Sequence, residues 1–295
     1  MRTSFKSACG LLFFDFIRAL ERVLPVRGLY LVLKPYAFAR AWLNTAFKPP
    51  STAPLPDFLS ASRTRRAARQ ARMNGYLNRL LDFFPERLAA DKWKNHCRIG
   101  GLAHWERAKQ NGRPVVLAFC HSQNYFLLRT WPRAAGIPVA ALEGGESENR
   151  SRLKKLGDRM RLFPEIPNAF QLDQLREAGQ FLAAGNVLMV ALDHAAGKQV
   201  RVPFCDGWNF QMATGAVRLA ARHQAELIPA CIIDEGGWRF RIELGRPVPA
   251  ELLAAKDGWS RAGKHLLDEM RPHFQDHPEQ CSKKMLGCLE RNSAA

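Results

Sequence analysis

The feature that most constrains this chain is a series of short apolar stretches spaced along its C-terminal two thirds. VVLAFC (115–120), IPVAAL (137–142), NVLMVAL (186–192) and ELIPACII (226–233) are too short for core helices and rich in β-branched residues. Strands buried on both faces of a parallel sheet read this way. The intervening segments 123–135, 149–160, 168–184 and 211–223 read as helices, and 258–274 closes the series with another. VRVPF (200–204) reads as extended, and WRFRIEL (238–244) alternates like a half-exposed strand. The expected fold is therefore α/β, with a mixed, largely parallel sheet flanked by helices.

The N-terminal third has a different character. Residues 1–113 carry 21 Lys/Arg against 7 Asp/Glu, whereas 114–295 carry 23 against 20, so the net charge of +17 belongs mostly to the start of the chain. Residues 8–24 and 28–47 read as helices in which Phe, Trp, Leu and Val mix with Arg and Lys, the pattern of an interfacial helix. KPPSTAPLP (48–56) breaks the pattern, and SRTRRAARQAR follows with Arg63, Arg65, Arg66, Arg69 and Arg72 on an expected helix. Such a run suits an anionic membrane surface as partner, at about 1 kcal/mol per basic residue close to the surface. It also suits nucleic acid, but no aromatic-rich binding strand or nucleic-acid motif accompanies it. No run of 18 uncharged, mainly apolar residues occurs, so no ordinary transmembrane helix is expected. The expected division is 1–90, a basic amphipathic membrane-associating region, and 91–295, the α/β domain.

Seven cysteines, an odd number without C-x-x-C or zinc-like spacing, argue against a disulfide framework and for the reducing cytosol. The chain has no P-loop, G-x-G-x-x-G, G-x-S-x-G or H-E-x-x-H, and no metal or cofactor is expected. The strongest chemical candidate is His121, which follows the strand VVLAFC where α/β folds place their ligands. Cys120 beside it should point to the opposite face. Asp193 and His194 end the strand NVLMVAL at the same sheet edge. Lys198 and Arg201 offer positive charge for a phosphate, and Gly215 after Thr214 would permit close approach of a ligand.

Taken in order, these segments resemble the bacterial lipid A biosynthesis (lauroyl/myristoyl-type) acyltransferases of the lysophospholipid acyltransferase superfamily. The resemblance is carried by IGGLAHWERAKQNGRPVVLAFCHSQNYF (99–126), by VLMVALDHAAGKQVRVPFCDGWNFQMATGAVRLAARHQAELIPACI (187–232), by HPEQC (277–281) and by FFPERL (83–88). It implies transfer of an acyl chain to a hydroxyl or amine of a membrane lipid, such as a lipid A precursor or other glycolipid, at the cytoplasmic face of the bacterial inner membrane. The donor would be an acyl-carrier-protein or coenzyme A thioester. It further implies an H-x4-D/E dyad whose His is the general base, and Phe204, Thr214 and Gly215, with Lys198 and Arg201, at the substrate site. His121 and Asn124 fall on the motif, but Phe126 stands at the acid position. Three readings follow: another group orients His121, the chain binds lipid without acyl transfer, or the fold runs a different reaction. For the first, Asp193 leads, followed by Glu143 and Glu146, with the Asn124 amide oxygen as a further acceptor.

Overall fold

A computed structural model of the chain describes residues 16–17, 19–20, 22–47, 55–60, 64–79, 96–122, 125, 127–129, 137–143, 169–194, 197–255 and 258–292. The basic helix expected over 149–160 lies outside them, and of the helix expected over 123–135 only 127–129 is described as helical.

Seven strands form the main sheet: β1 (Cys97–Gly100), β2 (Val115–Phe119), β3 (Val139–Glu143), β4 (Ala169–Gln171), β5 (Val187–Ala191), β8 (Glu226–Gly236) and β9 (Arg239–Leu244). Their order is β1-β9-β8-β2-β5-β3-β4, and only the β8–β9 hairpin pairs antiparallel. β2 and β5 lie at the centre, and every residue of both is buried. Their unbroken apolar character follows from having protein on both faces. A smaller antiparallel sheet joins β6 (Gln199–Cys205), β7 (Trp208–Ala213) and β10 (Leu289–Arg291) in the order β10-β7-β6.

Side chains alternate across the central strands and divide the core in two. Val115, Leu117, Phe119, Val187, Met189 and Ala191 pack on one face with the N-terminal helices. Val116, Ala118, Leu188 and Val190 pack on the other, against Ala216, Val217 and Ala220 of one helix (Gly215–His223) and Leu266, Leu267 and Met270 of another (Gly258–Asp276).

The N-terminal helices pack against one face of the sheet. Helix α1 (Val26–Phe47) buries Leu29, Leu33, Ala37, Ala41 and Thr45, a stripe repeating every four residues. Those four apolar residues share one core with Met73 and Leu77 of α2 (Arg65–Arg79) and with the sheet face. Thr64 caps α2, its Oγ1 accepting from the Ala67 N–H at 3.0 Å. Contacts that hold the helices to the β8–β9 hairpin include Tyr30, edge-on to buried Trp238 at 5.4 Å, and Asn78 Nδ2, which donates to Asp234 Oδ2 at 2.8 Å. Residue 90 therefore marks a change of composition, while the hydrophobic core runs across it.

Two helix expectations are corrected. Residues 169–171 form edge strand β4 before the helix Leu175–Ala183 begins. Residues 208–213 form β7, paired with β6 through a turn at Asp206 and Gly207, where Gly207 has φ 72°.

Candidate active site

His121 and Asp193 each stand two residues beyond a strand end, and the two strands are neighbours. Phe119 of β2 pairs in register with Ala191 of β5, so the chain delivers both side chains to the same edge. The Leu192 N–H donates to the Phe119 carbonyl at 2.8 Å and extends the pairing one step further. Asp193 then meets His121 twice. Its Oδ1 lies 2.7 Å from His121 Nδ1, and its Oδ2 accepts the His121 backbone N–H at 2.9 Å. Asp193 is 1% exposed. A carboxylate so buried requires such donors, because desolvation without them is costly. Accepting at Oδ1 assigns the ring proton to Nδ1 and leaves the Nε2 lone pair as the basic site. The ring is fixed sideways by Tyr125, edge-on at 4.5 Å, and by Phe119 at 5.6 Å.

The Nε2 side opens outward, where Lys284 Nζ donates to it at 3.3 Å. A cavity of about 20 Å³ is lined by Cys120, His121, Ser122, Cys231, His273 and Cys281 among others. That volume holds about one water molecule. Burial pushes the Cys120 thiol well up, and the Asp193 charge adds to the effect. The thiolate is thereby disfavoured, and the side chain packs in the core away from solvent.

Glu143 is the one other acid candidate among the described residues. Glu143 ends β3, on the far side of β5 from β2, so β5 and Asp193 stand between them. Glu146, Asn124 and Phe126 lie outside the described residues.

The expected substrate residues are dispersed. Phe204 is buried among Phe58, Phe210 and Phe274 and belongs to the core. Thr214 is buried, and its Oγ1 donates to the Lys198 carbonyl at 2.9 Å, closing the loop after β5. A Cβ on Gly215 would meet Val190 at an ordinary 3.7 Å, so packing does not demand glycine there. Lys198 Nζ sits 4.8 Å over the Trp259 ring, and Arg201 pairs with Glu290 at 3.2 Å on the surface. No hydrogen bond or ring contact among the described residues joins these five to His121.

Residues 277–291 carry what motif reasoning missed. Gln280 of HPEQC is a backbone clamp: its Oε1 accepts from the Asp234 N–H at 2.8 Å and its Nε2 donates to the Asp234 carbonyl at 2.9 Å. Cys281 then bridges Ser122, and the Ser282 N–H donates to the His121 carbonyl at 3.2 Å. The amide of a lone Gln within a tail signature was the available signal for the clamp. Nothing in the sequence pointed to Lys284.

The glycines of IGGLAHWE also have a structural reason. A Cβ on Gly101, at φ 70°, would overlap the Leu244 carbonyl where β1 meets β9. Geometry and sequence blocks thus agree with a known family: the profile described as "Bacterial lipid A biosynthesis acyltransferase" matches residues 79–248, more than half of the chain. The chain belongs to that family. As a member of the lipid A biosynthesis acyltransferases it is an acyltransferase acting on lipid acceptors. No curated protein matches it. Among solved structures, the 1-acyl-sn-glycerophosphate (LPA) acyltransferase PlsC from Thermotoga maritima aligns over 83% of this chain and 98% of its own. Identity is 16% and the TM-score 0.41, a likeness that decides nothing further.

Proposed function

We propose that the chain transfers an acyl group from an acyl-carrier-protein or coenzyme A thioester to a hydroxyl of a lipid A precursor or similar glycolipid, with His121 as general base. Asp193 takes the place of the motif acid missing at Phe126. The observation that carries this reading is the 2.7 Å contact between Asp193 Oδ1 and His121 Nδ1. It supplies both things the absent acid would supply: the tautomer that leaves Nε2 basic, and a charge to balance the imidazolium. The acceptor hydroxyl would lose its proton to Nε2 while its oxygen attacks the thioester carbon. The imidazolium would then return that proton to the departing thiolate. The cavity beside Cys120 is too small for an acyl chain.

The same reading places the enzyme peripherally on the cytoplasmic face of the inner membrane. No helix among the described residues is long and apolar enough to cross a membrane. Opposite its buried stripe, however, α1 exposes Leu31, Val32, Phe38, Trp42, Leu43 and Phe47. An apolar face on the outside of a packed helix is the signature of an interfacial element. Beside it, Phe38, Arg66, Arg69, Gln70 and Met73 line a groove of about 310 Å³, where guanidinium groups meet apolar walls. That combination fits an anionic headgroup with its chain lying along α1.

The deciding experiment follows thiol release from a lauroyl thioester and acyl-lipid formation on a detergent-dispersed hydroxyacyl glucosamine phospholipid. His121→Ala should abolish both. Wild-type turnover in that variant would remove His121 as the base.

A further inference from the structure

We infer that Lys284 is a further residue of the reaction, which places a cation where negative charge builds on the thioester carbonyl oxygen. The inference rests on the reading of His121 as the base.

Lys284 lies in a short helix, Lys283–Leu286, that is tied closely to the dyad. Ser282 caps it, the Oγ accepting from the Met285 N–H at 3.1 Å. The backbone N–H of the same serine donates to the His121 carbonyl at 3.2 Å, and Cys281 bridges Ser122 one residue earlier. Further back, Gln280 is clamped to Asp234 of β8. The lysine is therefore carried by a strap fastened to His121, Ser122 and Asp234, and its exposed stem brings Nζ to 3.3 Å from Nε2. A contact of this kind contributes little to stability, because an exposed ammonium gives up good hydration to make it. Its significance lies in its position.

The Nε2 lone pair is where the acceptor hydroxyl must bind. When the hydroxyl takes that place, the ammonium is displaced by about one hydrogen-bond length and stays beside the reacting atoms. The hydroxyl oxygen then bonds to the thioester carbon, its proton moves to Nε2, and the carbonyl π electrons become an oxyanion. Among the described residues, Lys284 is the cation held at Nε2, beside the position that oxygen takes. Donors already in place at a developing oxyanion stabilise it without reorganisation at the moment of reaction. On collapse the C–S bond breaks, and the thiolate leaves with the Nε2 proton as free thiol. In the resting enzyme the same ammonium caps Nε2 while Asp193 holds Nδ1, so imidazole orientation and tautomer are fixed from both ends.

The test compares Lys284→Met, which keeps the stem and removes the charge, with Lys284→Arg. Turnover of a lauroyl thioester is measured against acceptor concentration, with thermal unfolding as the check on folding. Lys284→Met should lower kcat about 10²- to 10³-fold. The acceptor KM and the unfolding midpoint should stay close to wild type. Lys284→Arg should recover a substantial part of the lost rate. An unchanged kcat in Lys284→Met overturns the inference, and so does a faster one, which would make the lysine only a plug on Nε2. If the wild-type protein itself releases no thiol, the reading of His121 fails and Lys284 falls with it. An active wild type with an unaffected Lys284→Met removes Lys284 alone.

Discussion

Asp193 holds His121 through two of its oxygens at once, one on the imidazole and one on the backbone N–H of the same residue. This bidentate grip follows from strand register. Phe119 and Ala191 are paired across β2 and β5, and the two functional residues follow at equal distance. Under the proposed function, a carboxylate presented from a neighbouring strand takes the place of one presented five residues later in the same loop.

Asp193→Asn is expected to keep the fold and lose most of the activity. An amide oxygen can still accept from one of the two N–H groups, but it cannot accept from both and carries no charge. In a comparable triad this change costs about 10⁴ in turnover. Initial rates with a lauroyl thioester, alongside an unfolding curve, measure it. A variant folded and within about tenfold of wild type would show that Asp193 does not orient the base.

Gln280→Ala should destabilise the chain and free the strap. The amide satisfies both the N–H and the carbonyl of Asp234, which lie in a part-buried position. Leaving such groups unpaired costs about 1–3 kcal/mol. A drop in the urea midpoint, accompanied by lower turnover below the transition, is the expected result. Stability within error of wild type would show that the clamp contributes little.

The central strands and the sheet edge that brings Asp193 beside His121 were legible in the sequence, because short apolar runs alternating with helical segments build a parallel sheet whose strand ends share one edge. Two elements escaped for local reasons. AFQ at 169–171 is too short to show alternation and merges with the helix after it. The last three residues of β7, QMA at 211–213, were absorbed into the following helix, although Asp206-Gly207 ahead of the strand is a hairpin signal. Phe204 looked like a site residue because it sits in a family block, but its even position on β6 turns it into the core. Lys284 could not be read at all, since its contact depends on how the C-terminal strap folds back across β2.

The exposed face of α1 should bind membrane without contributing to folding. Leu31 and Trp42 are 64% and 50% exposed, whereas Leu33 on the opposite face is 3% exposed. The double variant Leu31→Glu, Trp42→Glu is expected to fold normally and to lose flotation with vesicles containing anionic phospholipid. Leu33→Glu should unfold the protein, because it buries an unpaired charge. Raised salt should weaken wild-type binding only in part, through the Arg66 and Arg69 contribution. Undiminished flotation of the double variant would place the membrane contact elsewhere.

Alkaline pH should unfold this protein earlier than its ion pairs alone would suggest, through its part-buried thiols. Burial pushes Cys281 from 9.0 up to about 12, with Glu279 and Asp193 adding to the effect, and raises Cys231 further. The folded values exceed the unfolded ones, so both thiols are neutral in either state below about pH 9, and their full contribution is present there. As pH rises above that value, the unfolded chain releases protons that the folded chain retains, and stability falls progressively toward the folded values. Urea midpoints should therefore drop between about pH 8 and about pH 10.5. Cys281→Ala should flatten that slope while costing a little stability at the lower pH, where only packing is lost. At the lower pH, iodoacetamide should modify Cys281 only as fast as the chain opens. Parallel pH slopes for the wild type and Cys281→Ala would assign the alkaline loss to other groups, and rapid alkylation of Cys281 would show that the strap over Ser122 opens far more readily than its hydrogen bonds imply.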